Sequence, residues 1–126
     1  MAVITILLVD DSQTTLMTER TVLVRNGYQV ITARSAAEGL QKAQAERPDL
    51  LLMDADMPRV TGVEACRELA LDPLTAAIPV VLMVPPDVAR PSSGRRTWKA
   101  ELGKPILEHD LLETVRRYAG TPPARS

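Results

Sequence analysis

Short runs of aliphatic residues, separated by helix-like segments, most constrain how this chain can fold. The runs at 3–9, 50–53 and 80–84 are rich in Val, Ile and Leu and are too short to be buried helices. Continuous apolar runs of this length are typical of parallel strands that are buried on both faces. The alternation predicts an α/β domain with right-handed crossovers, and a doubly wound, five-stranded parallel sheet in the flavodoxin-like order 2-1-3-4-5 would suit it.

Capping residues and turn residues mark the limits of the predicted elements. The predicted strands are Val3–Val9, Tyr28–Ala33, Asp49–Asp54 and Ile78–Val84. Helices are predicted from Ser12 to about Asn26, behind the capping boxes Ser35–Glu38 and Thr61–Glu64, and from about Leu107 to Ala119. Apolar residues at helical spacing predict the buried faces, among them Leu16, Met17, Leu23 and Val24 in the first helix and Val63, Cys66 and Ala70 in the third.

The segment after the fourth strand departs from the alternation. Residues 85–96 contain three prolines, one glycine and two serines where a further helix is expected. Proline interrupts helical hydrogen bonding, so the segment predicts an irregular, mobile loop or at most one short turn, which shortens or replaces that helix. Residues 1–120 are predicted to form one domain, and residues 121–126 a tail or the start of a linker.

Composition excludes several classes of function. A net charge of −1 gives no basic field for nucleic acid, and one Trp, two Tyr and no Phe disfavour binding by base stacking. No apolar run approaches the about 20 residues that cross a bilayer. Cys66, the single cysteine, is interpreted as a small buried hydrophobic residue, not as a redox sensor. These features predict a cytoplasmic protein without direct nucleic-acid or membrane binding.

Three aspartates follow predicted strands and form the candidate site. Asp10 and Asp11 follow the first strand, and Asp54 ends the third. Ligands of an open parallel sheet bind at the carboxyl edge of the strands, and the order 2-1-3-4-5 makes strands 1 and 3 neighbours. Two carboxylates about 5 Å apart repel by roughly 3 kcal/mol at an effective dielectric constant near 20. The cluster therefore predicts a divalent cation or a protonated carboxyl group, although Asp11 or Ser12 alone could instead cap the first helix.

Three segments together resemble the receiver domain of two-component response regulators. They are ILLVDDS at 6–12, LLMDADMP at 51–58 with Gly62 beyond it, and GKP at 103–105, and the resemblance extends over about Ile4 to Tyr118. It implies that Asp54 is the phosphoacceptor, which takes a phosphoryl group from a histidine kinase or a phosphotransfer protein. It also implies that Lys104 contacts the phosphoryl group and that the Lys104–Pro105 peptide bond is cis. The chemistry is consistent, because a metal ion and a lysine offset the repulsion between a carboxylate and an anionic phosphoryl donor.

The resemblance further implies a Mg²⁺ site built around the same aspartates. Asp11 would ligate the ion directly and Asp10 through water, while Asp54 and the main-chain carbonyl of Asp56 would complete the protein ligands. Mg²⁺ suits a site with few carboxylates and several waters. The implied cofactor is therefore Mg²⁺.

Two positions depart from the pattern of the family. Val84 ends the fourth strand where the family usually has Thr or Ser, and Glu101 stands three residues before Lys104, where an aromatic residue is usual. The missing hydroxyl removes one charge-assisted hydrogen bond, worth about 1.5–3 kcal/mol. We therefore predict that phosphoryl transfer persists while its link to conformational change is weaker. Trp98 precedes the usual aromatic position by three residues and is not assigned that role.

Two other functions are considered. The altered positions also favour a pseudo-receiver, which keeps the fold and binds partners without phosphorylation. The segment Asp54-Ala55-Asp56 superficially resembles the Asp-x-Asp motif of haloacid-dehalogenase-type phosphatases, but that motif should follow the first strand of a longer chain. We predict no enzymatic activity beyond self-phosphorylation and self-dephosphorylation. The expected partners are a histidine kinase or phosphotransfer protein and a downstream output domain or protein, and a homodimer is left open.

Overall fold

A five-stranded parallel sheet forms the centre of the protein. The computed structural model describes residues 3–86 and 97–123, and every structural statement below concerns them. The strands are β1 (Thr5–Val9), β2 (Gln29–Ala33), β3 (Leu50–Asp54), β4 (Val80–Val84) and β5 (Ala100–Gly103). They are parallel and lie in the order β2-β1-β3-β4-β5. The predicted flavodoxin-like order is confirmed. The sequence analysis gave bounds for β1 to β4, and each of these strands ends at the predicted residue and starts one or two residues late.

Four helices within the described ranges cover the two faces of this sheet. They are α1 (Gln13–Arg25), α2 (Ala36–Glu46), α3 (Gly62–Leu71) and α4 (Glu108–Ala119). Helices α1 and α4 pack on one face, and α2 and α3 pack on the other. Between β4 and β5, residues 85–86 and 97–99 are not helical, and the rest of the predicted irregular loop lies outside the described residues. The last three residues of the predicted tail also lie outside them.

The central strands are buried on both faces, which explains their uninterrupted apolar sequence. Every residue of β3 and β4 is buried. Successive side chains point to opposite faces, so that Leu51 packs with α2 and α3 while Leu52 packs with α1 and α4. Each buried leucine contributes about 1.5–3 kcal/mol, which makes these strands a firm support for the residues that follow them. Cys66 is buried on the α3 side, as predicted, and burial raises the pKa of its thiol to about 12.

Side-chain caps begin three of the helices. At α3 the predicted capping box is complete, because the Thr61 hydroxyl accepts from the Glu64 backbone N–H and the Glu64 carboxylate accepts from the Thr61 backbone N–H. At α2 only half of the predicted box forms. Ser35 accepts from the Glu38 N–H, but the Glu38 carboxylate accepts from the Arg34 N–H, one residue earlier than in a capping box.

The prediction of the buried face of α1 is partly wrong. Met17 is 60% exposed and Val24 is 43% exposed, whereas Glu19 and Val22 are buried with Leu16 and Leu23. Adjacent helical residues are about 100° apart, so Met17 and Val24 lie beside the buried stripe and not on it. In α3, the predicted core position Ala70 is exposed, and Ala65 and Leu69 are buried instead. None of the described helices is long and apolar enough to cross a membrane.

Candidate functional site

The predicted aspartates meet at the carboxyl edge of the two central strands. Val9, the last residue of β1, pairs with Met53, so Asp10 and Asp54 follow neighbouring positions of the sheet. One carboxylate oxygen from each of Asp10, Asp11 and Asp54 lies within 4.8 Å of the others. Asp10 and Asp54 are 1% and 2% exposed, and Asp11 is exposed at the rim. The structure thus forms the cluster that the strand order predicts.

Local hydrogen bonds orient the two buried carboxylates. Asp10 accepts from the Ser12 backbone N–H at 2.9 Å, and its own N–H donates to the Ala33 carbonyl. Asp54 accepts from the backbone N–H of Asp56 at 3.1 Å. Ser12 itself caps α1 through its hydroxyl. Each carboxylate is therefore held by the chain that immediately follows its strand.

Lys104 joins the two buried carboxylates. Its Nζ lies 3.2 Å from Asp10 Oδ2 and 3.2 Å from Asp54 Oδ1. Its backbone N–H donates to the Val84 carbonyl at 2.8 Å, which fixes the lysine beside the end of β4. The Lys104–Pro105 peptide bond is cis, as predicted. A residue 50 positions beyond Asp54 therefore reaches the same pocket.

Burial and neighbouring charges have opposing effects on the pKa values of Lys104 and Asp54. Burial by itself lowers the pKa of Lys104, but the carboxylates of Asp54 and Asp10 outweigh it and hold that pKa above its usual value. Burial raises the pKa of Asp54, and the negative charge of Asp10 adds to this, although the Asp56 N–H and Lys104 act in the other direction. Without further positive charge, the pocket disfavours ionised Asp54.

The loop after β3 passes very close to the backbone of Asp54. A Cβ atom at Gly62 would lie 2.4 Å from the Asp54 carbonyl oxygen, and the Gly62 N–H donates to the Ala55 carbonyl. Arg59, within this loop, has a left-handed backbone with φ of 72°. The start of α3 is therefore packed directly against the residue that carries the central carboxylate.

Comparison with known proteins decides the family. The family model of the response regulator receiver domain matches residues 6–116. Protein PilH of Pseudomonas aeruginosa is 38% identical over 112 residues, which cover 87% of this chain and 93% of PilH. The chain belongs to the response regulator receiver domains. It is thus a signalling domain of two-component systems.

Further relatives support the same assignment of this receiver domain. The polar-differentiation response regulator DivK of Brucella anthropi is 31% identical over 119 residues, covering 91% of this chain and 95% of DivK. The structure of the chemotaxis response regulator CheY4 of Vibrio cholerae superposes with a TM-score of 0.84 at 28% identity, covering 93% of this chain and 99% of CheY4. The match in fold therefore extends over nearly the whole domain.

The acidic pocket of the receiver domain fits Mg²⁺ by its donor chemistry. Receiver domains generally bind Mg²⁺ at such a pocket, and here three carboxylates offer hard oxygen donors. These oxygens lie within 4.8 Å of one another, close enough to share one small divalent cation. The exposed position of Asp11 leaves room for the water ligands that Mg²⁺ usually keeps. The carbonyl of Asp56 stays a predicted ligand.

The two positions that depart from the family lie on the same face of the sheet, on neighbouring strands. Val84 is buried in the apolar cluster between the sheet and helices α2 and α3, and the Trp98 side chain belongs to the same cluster. The indole N–H of Trp98 donates to the Glu101 carboxylate at 2.9 Å. Leu82 pairs with Glu101 and Val84 with Gly103, so Glu101 projects to this same face of the sheet. In this receiver domain, a tryptophan and a glutamate thus lie in the region where the family usually has a Thr or Ser and an aromatic residue.

Glu19 is the residue of this region that the sequence analysis missed. It is 4% exposed, in the middle of the buried face of α1, and its carboxyl interacts electrostatically with Asp10, Lys104 and Asp54. A signal was present in the sequence, because Glu19 follows Leu16 by three residues and precedes Leu23 by four. Such spacing places a glutamate on an apolar stripe.

Proposed function

We propose that this receiver domain accepts a phosphoryl group on Asp54 from the phosphohistidine of a histidine kinase or a phosphotransfer protein, with Mg²⁺ in the acidic pocket. The observation that carries the proposal is the contact of Lys104 Nζ with both Asp10 and Asp54 at the cluster of three aspartates. A buried carboxylate that faces both a lysine and a cation site has the surroundings that phosphoryl transfer requires.

The proposed reaction joins an Asp54 carboxylate oxygen to phosphorus. The bond between phosphorus and the histidine nitrogen breaks, its electron pair stays on the imidazole ring, and an acyl phosphate forms on Asp54. Bound Mg²⁺ would supply positive charge for the phosphoryl oxygens, held by Asp11, Asp54 and the Asp56 carbonyl, with Asp10 acting through water. Lys104 would exchange its contact with Asp54 for a phosphoryl oxygen, because its Nζ already lies 3.2 Å from the acceptor carboxylate. The Asp56 N–H and Lys104 both favour the ionised, nucleophilic form of Asp54.

The proposal is tested by the mass of the intact protein after incubation with Mg²⁺ and acetyl phosphate. We expect the wild type to gain one phosphoryl group and Asp54→Ala to gain none. Asp10 lies at the same 3.2 Å from Lys104 Nζ as Asp54 does, so the variant also tests which of the two carboxylates is the acceptor. Asp56→Ala is the matched control, since it removes an exposed carboxylate two residues away but keeps the main-chain carbonyl. Equal uptake by wild type and Asp54→Ala would place the phosphoryl group elsewhere.

The proposed activity does not extend to turnover of external substrates. Asp54 would carry out its own phosphorylation and the acyl phosphate its own hydrolysis. Sustained release of phosphate from phosphate esters would contradict this and favour the phosphatase alternative.

The Val84 side chain and the Trp98–Glu101 contact favour a second candidate, a pseudo-receiver that binds partners without phosphate. Val84 offers no hydroxyl to a phosphoryl group, and the aromatic side chain of this region is already buried and hydrogen-bonded. The two candidates differ in one measurement. Absence of phosphoryl uptake, together with absence of Mg²⁺-dependent beryllofluoride binding, would leave the pseudo-receiver.

We expect Val84→Thr to strengthen the conformational response to phosphorylation. The added hydroxyl lies at the end of β4, beside the lysine whose N–H bonds the Val84 carbonyl, and can donate to a phosphoryl oxygen. In the unphosphorylated protein the buried hydroxyl should cost about 1–2 kcal/mol. Trp98 is the only tryptophan and packs in the Val84 cluster, so its emission reports the response. The expectation would be contradicted if phosphorylation changed the Trp98 emission by the same amount in wild type and Val84→Thr.

A further inference from the structure

Glu19 carries a buried carboxyl group in apolar surroundings. The other buried residues of its helix are Leu16, Val22 and Leu23, all about one turn from Glu19. Helix α4, on the same face of the sheet, buries Leu111, Leu112 and Val115. Oxygen Oε1 of Glu19 is buried and has no hydrogen-bond partner among the described residues. A buried, unbonded carboxylate is costly, whereas a protonated carboxyl is much less so.

Within the described part of the chain, the charges that act on Glu19 belong to the acidic pocket. Asp10 follows β1, Asp54 ends β3 and Lys104 follows β5, and these three groups influence the Glu19 carboxyl. The other charged residues of α1, Arg20 and Arg25, are exposed. The charged residues of α4 lie outside its buried face. Strand β2 has no charged residue.

These surroundings favour a neutral Glu19 in the metal-free protein. Burial is the largest cause and Asp10 the second, and together they raise the pKa of Glu19 from 4.5 to about 7, with Asp54 adding to the effect and Lys104 opposing it. A divalent cation bound by Asp10, Asp11 and Asp54 would offset the net negative charge of the pocket that Glu19 faces. A positive neighbour favours the ionised carboxylate.

We propose that the buried carboxyl of Glu19, whose Oε1 is unpartnered among the described residues, releases its proton to solvent when Mg²⁺ binds to the aspartates and thereby makes cation binding depend on pH. Glu19 acts through space and is not a ligand. The inference rests on the proposed Mg²⁺ site. Beyond that site, the cation would also attract a fourth carboxylate, Glu19, which lies on the α1 side of the sheet and takes no part in phosphoryl transfer.

Linkage sets the expected size of the effect. If Mg²⁺ lowers the pKa of Glu19 by about one unit, the affinity for Mg²⁺ should rise about fivefold between pH 6 and pH 8. In Glu19→Gln, which keeps the shape of the side chain without the charge, this part of the pH dependence should disappear. Other titratable groups are present in both proteins, so the difference between them isolates Glu19.

The test is isothermal titration calorimetry of the metal-free protein with MgCl₂ at pH 6, 7 and 8, in two buffers of different ionisation enthalpy. We expect the wild type to release a fraction of a proton for each Mg²⁺ near pH 7, and Glu19→Gln to release clearly less. Glu113→Gln is the matched control, because it removes an exposed glutamate from α4 and should behave as the wild type. Equal proton release by wild type and Glu19→Gln would overturn the inference while leaving the Mg²⁺ site intact.

A second measurement needs no variant. Carboxyl ¹³C NMR of the metal-free wild type should show Glu19 protonated at pH 6, with a midpoint near 7, and addition of Mg²⁺ should move that midpoint down. A Glu19 midpoint near 4.5 would overturn the inference. Absence of any Mg²⁺ binding in the calorimeter at all three pH values would instead overturn the proposed metal site and the inference with it.

Discussion

Replacing Lys104 with methionine is expected to destabilise the metal-free domain by about 2–3 kcal/mol, with most of the loss restored by Mg²⁺. Lysine Nζ contacts both Asp10 and Asp54, so its removal leaves two buried carboxylates facing each other without their shared cation. Removing one partner of a buried ion pair typically costs about 3–5 kcal/mol. The Lys104 side chain is 23% exposed, and solvent therefore screens part of that loss.

Chemical denaturation of wild type and Lys104→Met, with and without saturating Mg²⁺, measures this effect. Lys99→Met is the matched control, because it removes an exposed lysine from the same part of the chain and should change the free energy of unfolding by less than about 0.5 kcal/mol. The double variant Lys104→Met/Asp54→Asn also lacks the negative charge of Asp54, so only the Asp10 carboxylate is left without its cation. We expect part of the stability to return. An equal loss with and without Mg²⁺ would show that the lysine stabilises the fold by packing and not by its charge.

The same variant should slow phosphoryl uptake. Removal of a preorganised cationic donor at the reacting group typically costs about 10²–10³ in rate. Because Mg²⁺ restores stability but cannot occupy the position of Nζ, the Lys104→Met protein should be folded and slow under the same conditions. Separation of the two effects would show that Lys104 contributes to phosphoryl transfer beyond its contribution to stability.

The sequence predicts those features that depend on local pattern and on the rules of parallel sheets. The continuous apolar runs identified β3 and β4 because these strands are covered on both faces. Strand order then placed Asp10 and Asp54 together, since the carboxyl ends of neighbouring strands share one edge. The Thr61–Glu64 capping box was predicted because both of its contacts lie within one turn of helix.

Features that depend on tertiary packing were not predictable in the same way. The spacing of apolar residues in α1 gives a stripe but not its centre, and Met17 and Val24 were therefore placed on the buried face although they are exposed. Glu19 lies on the true centre of that face, where burial and the field of the acidic pocket decide its protonation. The Trp98–Glu101 contact joins residues only three apart, but no helix or turn motif in the sequence predicts it.

Replacing Gly62 with alanine is expected to destabilise the domain by about 3 kcal/mol or more and to lower its melting temperature by roughly 10 °C. The added Cβ would lie 2.4 Å from the Asp54 carbonyl oxygen and 2.8 Å from the Ala55 Cα, and both obstacles are backbone atoms that cannot rotate away. Relief of the clash requires movement of α3 away from the end of β3. That movement would displace Asp54, so Mg²⁺ affinity and phosphoryl uptake should fall together with stability.

The sign of this effect separates packing from helix propensity. Gly62 is the first residue of α3, and alanine is favoured over glycine within helices by about 1 kcal/mol, so propensity alone predicts stabilisation. Gly103→Ala is the matched control, since a Cβ there meets no heavy atom of the described residues within 4 Å and should change stability by less than about 0.5 kcal/mol. Thermal unfolding of both variants decides the matter. A stable Gly62→Ala protein would mean that α3 can move away from β3 without cost, and that the close approach to Asp54 is not what fixes the geometry of the site.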